Sequence, residues 1–181
     1  MTWYGSIVPL GNKELVRIVN ELAKWLSSEK GVSAVHLPYH IERGGIYLKD
    51  ASVYAGMGCI GKNNMLVTPQ FGPRVRLRCL TIDLDLPSSG MIEYDPCSIC
   101  PQPCTVSCPQ AAFLDNTYSE AELGRSKLPG RDGSYSRVIC NRQMEKDEEM
   151  AVEQKVQGLD GKVRVVKYCR LCEFACPVGK V

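Results

Sequence analysis

Four cysteines fall within twelve residues of the stretch DPCSICPQPCTVSCPQAAF, at Cys97, Cys100, Cys104 and Cys108, and Pro109 follows the last. A segment with so many thiols so close together is organised by what the thiols bind rather than by a core of its own. A second motif, Cys169-x2-Cys172-x3-Cys176-Pro177, lies further on, with Cys140 upstream of it, and Cys59 and Cys79 complete a total of ten. Disulfides and metal ligation compete as explanations. The N-terminal Met1-Thr-Trp-Tyr-Gly has neither a basic n-region nor a twin arginine, so no export signal is expected. A chain of 181 residues, 44% of them hydrophobic, is long enough to build a core without covalent staples. Metal ligation is the better reading.

The spacing narrows the metal. Zinc sites present two pairs of thiols that close one tetrahedron. A run of four cysteines ending in Cys-Pro follows instead the bacterial ferredoxin pattern, in which three ligands wrap one [4Fe–4S] cluster and the fourth serves the other. That crossover assigns cluster one to Cys97, Cys100, Cys104 and Cys176, and cluster two to Cys108, Cys140, Cys169 and Cys172. A zinc knot or a single cluster is the alternative. The first run holds three residues, Pro101-Gln102-Pro103, where two are usual. The extra residue is expected to form a bulge. The two prolines withdraw N–H donors from nearby sulfurs, which predicts a lowered potential for cluster one. Two clusters with interleaved ligands lie close together, so the chemistry is electron transfer.

The net charge of +2, from 22 basic and 20 acidic residues, leaves no footprint for nucleic acid and no polybasic membrane anchor. No apolar run is long enough to span a bilayer. A cytoplasmic protein is expected. Leu15, Ile18, Val19, Leu22, Trp25 and Leu26 recur at helical spacing and predict a core-facing helix over 12–30, capped by Asn12 and ended by Gly31. A strand is predicted within 32–38 and a second helix over 49–55. MLVTP (65–69) and VRLRCLTIDLDL (75–86) read as two strands of a hairpin joined by PQFGP. Past Pro87-Ser-Ser-Gly90 the texture changes. There a short helix is predicted from the Ser119/Glu122 capping box, a loop over 128–136, an exposed helix over 137–152, and a hairpin turning at Asp160-Gly161. This predicts an α/β half over residues 1–94 and a dicluster half over 95–181.

The remaining unusual stretch is AGMGCIGKNNMLVTPQFGPRVRLRCLTIDLDL, residues 55–86. Gly56, Gly58, Gly61 and Gly72 permit close approach of backbone to a flat or anionic ligand, with Lys62 and Asn63 beside them. The G-x-G-x-x-G spacing at 56, 58 and 61 follows a helix rather than a strand, which argues against a dinucleotide site; a tight turn entering a hairpin is the plainer reading. The stretch resembles the AGLGxxGKN…LLITPxxGPRVR…TDLPL segment of the cobalamin-dependent reductases, namely epoxyqueuosine reductases and reductive dehalogenases. There, as here, it precedes a dicluster module. In the former, a lone cysteine precedes a C-x2-C-x3-C-P motif, and Cys140 takes that place.

The resemblance covers about residues 45–181. It implies an α+β protein in which a partial nitroreductase-like α/β domain is followed by a bacterial dicluster 2[4Fe–4S] ferredoxin-like module. Base-off cobalamin would rest on Gly56, Gly58, Cys59, Gly61, Lys62, Asn63 and Gly72. Electrons would pass from a low-potential donor protein of ferredoxin or flavodoxin type, through both clusters, to the cobalt. The chain would then be a cobalamin-dependent oxidoreductase or its electron-transfer component, acting on a corrinoid or corrinoid protein; the alternative is a stand-alone electron carrier without cobalamin. Departures from the family pattern also carry expectations. Glu42 falls near the family's proton-donating acid, although its flanks differ. Cys59 stands where epoxyqueuosine reductases usually have tryptophan. The N-terminal portion is reduced, so a pocket completed by a second copy, as a homodimer, is expected. The tRNA-binding repeats are missing, so action on tRNA is not expected.

Overall fold

The protein is described by a computed structural model over residues 2–4, 10–114, 134–156 and 160–179. Its helices are α1 (Leu10–Lys30), α2 (Leu48–Tyr54), α3 (Pro103–Val106), α4 (Arg137–Glu149) and α5 (Leu171–Ala175). Its strands are β1 (Thr2–Tyr4), β2 (Ala34–His36), β3 (Cys59–Ile60), β4 (Leu66–Val67), β5 (Leu80–Ile82), β6 (Val152–Lys155) and β7 (Lys162–Lys167). All pair antiparallel, in three small sheets ordered β1-β7-β6, β2-β5 and β3-β4. Among the described residues no helix is long and apolar enough to cross a membrane.

Helix α1 ends as its sequence predicts, with Gly31 left-handed at φ 64°. It begins two residues early, so Asn12 does not cap it; Asn12 Oδ1 instead accepts from Arg78 at 2.7 Å. The core-facing stripe requires a correction. Val19 is buried, yet Ile18, Leu22 and Trp25 are each close to half exposed. The neighbour of α1 is the two-stranded β2-β5 sheet, which is too narrow to cover a stripe running from Leu15 to Leu26, about three turns.

The hairpin between 65–69 and 75–86 is also corrected. β4 pairs with β3, and β5 pairs with β2. The PQFGP loop closes on itself, with reciprocal Thr68–Gly72 backbone bonds of 3.0 and 2.9 Å. Residues 74–79 then run extended without a ladder. Arg76 and Arg78 donate to neighbouring carbonyls of this segment, at Val75 O (2.7 Å) and Leu77 O (2.8 Å). Alternation marked the two faces but not the partner. Val53, Ile60 and Leu66 form a buried cluster flanked by Val75 and Leu77, each full burial worth about 1.5–3 kcal/mol.

In the cysteine-rich half, α4 starts at Ser136, whose hydroxyl accepts from Ile139 N at 3.3 Å, and this sets Cys140 in the first turn. The β6–β7 hairpin turns where expected, with Gly161 at φ 72°. The helix anticipated at Ser119–Glu122 lies outside the described residues, as does most of the 128–136 loop. Strand β1 lies against β7, Thr2 opposite Lys167, and ties the start of the described chain to the segment leading into Cys169.

Candidate metal centre

The first motif is shaped by its extra residue. Gln102 is left-handed (φ 55°, ψ 49°), and this bulge turns the chain into α3, with Pro103 at the first helical position, where its missing N–H costs nothing. Helix α3 presents Cys104, α5 presents Cys172, and the two helices pack together. The prolines do not leave the sulfurs without donors. Gln102 N donates to Cys100 Sγ at 3.4 Å, Lys62 N to Cys97 Sγ, and Thr105 N to Cys104 Sγ. The deficit from which a lowered potential was expected is thus made up by other backbone amides.

The thiols act on one another in two sets. Burial pushes Cys104 up to about 11, and proximity to Cys176 and Cys97 adds to it. Cys97 is also raised, first by burial, against the Lys62 N–H, with Asp95, Cys176 and Cys100 adding their charge. Burial pushes Cys172 up to about 11, followed by Cys169, Cys140 and Cys108. Cys169 is raised by burial, against the Leu171 N–H, with Asp147, Cys108 and Cys140 contributing. Cys97, Cys100, Cys104 and Cys176 therefore lie within electrostatic range as one set, and Cys108, Cys140, Cys169 and Cys172 as the other. Cys104 also acts on Cys172, so the sets adjoin. Among the described residues, no three His, Cys, Asp or Glu side chains form a group that could hold a single metal ion.

Cys176 reaches the first set because the glycine-rich segment holds it there. Arg74 donates to Glu173 O and Cys176 O, both at 3.3 Å, and to Val178 O. Arg76 and Arg170 enclose the buried Glu173, at 3.3 Å from Arg76 and 2.8 Å from Arg170. Burial opposes ionisation of Glu173, but the two guanidiniums outweigh it and hold the carboxyl below its usual range.

The predicted cofactor residues gather in the β3–β4 hairpin and the loop after it. A Cβ on Gly61 would lie 3.4 Å from Cys97 Sγ, so this turn rests on the first set. Asn63 is buried and serves the turn, its Oδ1 accepting from Met65 N at 3.2 Å. The space that Gly56, Gly58 and Gly72 leave is filled by the chain itself, by the carbonyls of Gly90, Val67 and Val178 respectively. The Cys59 thiol is pushed up to about 11 by burial, then by Cys97 and Asp95, so it stands beside the first set as a fifth thiol. Glu42 sits apart, on an exposed 3-10 turn, 3.4 Å from His40 Nδ1.

No family model matches the chain. Curated relatives do. An epoxyqueuosine reductase of Gloeobacter violaceus is 30% identical over 169 residues, 92% of this chain and 46% of that protein. The chain is a relative of the epoxyqueuosine reductases. The enzyme of that name from Lactococcus garvieae is 25% identical over 167 residues, 92% of this chain and 41% of its own. The chain thus spans less than half the length of the curated epoxyqueuosine reductases that it matches. The fold agrees: the epoxyqueuosine reductase structure from Streptococcus thermophilus superposes with a TM-score of 0.59 at 19% identity, over 97% of this chain and 43% of that one. The one from Bacillus subtilis gives 0.50 at 19%, over 93% and 37%.

Sequence reasoning missed Asp147 and Arg74. Asp147 lies in the charged run RQMEKDEEM, which reads as a solvated face, and nothing local distinguishes it from its acidic neighbours. Arg74, Arg76 and Arg78 alternate through residues 74–78; Arg74 and Arg76 both reach Glu173, whereas Arg78 turns to Asn12.

Proposed function

We propose that the chain carries two [4Fe–4S] clusters and relays low-potential electrons to a corrinoid, as part of a cobalamin-dependent reductase of the epoxyqueuosine reductase type. In this reading residues 1–94 form a nitroreductase-like α/β domain and 95–181 a dicluster ferredoxin-like module. Cys97, Cys100, Cys104 and Cys176 hold cluster one; Cys108, Cys140, Cys169 and Cys172 hold cluster two. One observation carries it: eight thiols fall into two adjoining sets of four, with Cys176 crossing between motifs and the Gly61 turn against Cys97. The clusters supply one-electron transfer, and a bound cobalamin would supply the reducing cobalt centre.

The protein's own groups do the rest. Backbone amides of Lys62, Gln102, Thr105 and Leu171 donate to ligand sulfurs and stabilise their charged form. Arg74 fixes the crossing ligand. The partners in this reading are a donor protein of ferredoxin or flavodoxin type, a corrinoid or corrinoid protein, and a second copy of the chain. The second reading, a dicluster carrier without cobalamin, is favoured by the close fit of Gly58 and Gly72 to the chain's own carbonyls, which leaves those two glycines no room to spare for a ligand.

Anaerobic purification followed by iron, sulfide, zinc and cobalt analysis, with and without added cobalamin, tests both. About eight iron and eight sulfide per chain with stoichiometric cobalt is the expected outcome. The same iron without cobalt uptake leaves the carrier. Zinc in place of iron rejects both readings.

A further inference from the structure

Each cysteine motif opens on a residue whose backbone N–H is taken by a carboxylate. Cys97 N donates to Asp95 Oδ1 at 3.0 Å, and Cys169 N donates to Asp147 Oδ2 at 2.7 Å. The two carboxylates differ in surroundings. Asp95 is exposed, so water and salt screen its charge. Asp147, in the last turn of α4, is only 7% exposed. Its other oxygen accepts from Gln143 Nε2 at 2.8 Å, and Gln143 Oε1 accepts from Gln110 Nε2 at 2.8 Å. This chain of contacts begins two residues after Cys108 and ends on Cys169, so it is built into one cysteine set alone. Both donors to Asp147 are neutral amides and leave its charge undiminished.

We propose that Asp147 makes the cluster on Cys108, Cys140, Cys169 and Cys172 the lower in potential of the two, so that electrons enter there and run downhill to the cluster beside the glycine hairpin. The inference rests on the two-cluster reading above. Reduction adds one electron to a cluster, with no bond broken and no proton required. A fixed negative charge on a side chain only 7% exposed disfavours that added charge, while one on an exposed side chain does so less. Both sets receive N–H···S bonds, including Ala112 N to Cys108 Sγ at 3.3 Å, so amide donors do not by themselves separate them. The entry side is open as well. A groove of about 470 Å³ lies over Cys169 and reaches Asp147, lined also by Lys167, Arg170, Leu171 and Phe174, and Leu171 and Phe174 are about half exposed.

The test is an anaerobic titration of the iron-loaded protein with dithionite, followed by electron paramagnetic resonance. The native protein should show two one-electron steps. Asp147→Asn keeps the shape and one acceptor oxygen but removes the charge; the lower step should move up and the upper step stay. Asp95→Asn should move either step by less. Asp147→Glu keeps the charge and should leave the lower step low, which separates charge from packing. Gln143→Lys sets a cation against the Asp147 carboxylate, offsets its charge and should move the lower step up, so the proposal stands or falls even where Asp147→Asn fails to load iron. A lower step unmoved by either charge change, or an upper step that moves instead, overturns it. An iron assay on the same native sample showing fewer than two clusters overturns the underlying reading, and the inference with it.

Discussion

Replacing Arg74 by alanine is expected to halve the iron of the protein, from about eight atoms per chain to about four. Arg74 is the only described donor to the carbonyls of Glu173, Cys176 and Val178 together, and Cys176 is the ligand that leaves its own motif for the other set. Hydrogen bonds from a charged group contribute about 1.5–3 kcal/mol each, and their loss would also strand carbonyls at a half-buried site. Without the guanidinium, the turn after α5 keeps only the packing of Gly72 on Val178 and the Arg76–Glu173 pair, and cluster one is expected to lose its fourth thiolate. Cys108, Cys140, Cys169 and Cys172 need no contact with Arg74, so cluster two should persist. Iron and sulfide assays with electron paramagnetic resonance would report one cluster where there were two. Loss of both together would mean that Arg74 merely supports the fold, and retention of both would mean that Cys176 is held by other means. Arg74→Lys, a single point charge without the fork, should fall between.

The second large effect belongs to Gly58. A Cβ there would drive into the Val67 carbonyl oxygen and lie 2.9 Å from its carbon and 3.0 Å from Thr68 Cα, all backbone atoms of the paired strand. The residue also sits at φ 152°, a conformation that side chains avoid. Gly58→Ala is therefore expected to destabilise the protein by at least about 3 kcal/mol, since strain and contact add. Gly44→Ala is the control. Gly44 has a positive φ of 90° but nothing within 4 Å of its missing Cβ, so it should lose only about 1 kcal/mol. Urea denaturation midpoints of both variants give the comparison. Equal losses would show that the backbone angle alone matters and that the hairpin can open far enough to relieve the contact with Val67.

How much of this was legible beforehand follows the range of each signal. Helix α2, the turn at Asp160-Gly161 and the body of α1 are written in adjacent residues, and the structure has them there. The two cysteine motifs were legible too, since their spacing is local. Strand partners were not. Nothing near Leu66–Val67 says that it pairs back to Cys59–Ile60 rather than forward to Leu80–Ile82, because both choices place apolar residues inward. The glycines were read as room for a ligand, but a sequence gives only the room; the carbonyls of Val67 and Val178 that occupy it come from elsewhere in the chain.

The pairing of Thr2–Tyr4 with Val165–Lys167 has a consequence for how the molecule comes into being. Thr2–Tyr4 has no mate on the ribosome until residues 165–167 have emerged, and Cys169, Cys172 and Cys176 follow directly behind them. Contacts this distant in sequence are slow to form, and the three-stranded sheet forms among the last elements. Cys97, Cys100 and Cys104 meanwhile emerge as an incomplete set of exposed thiols. The thiols of the first motif thus wait, by topology, on about seventy residues of later chain before Cys176 can join them.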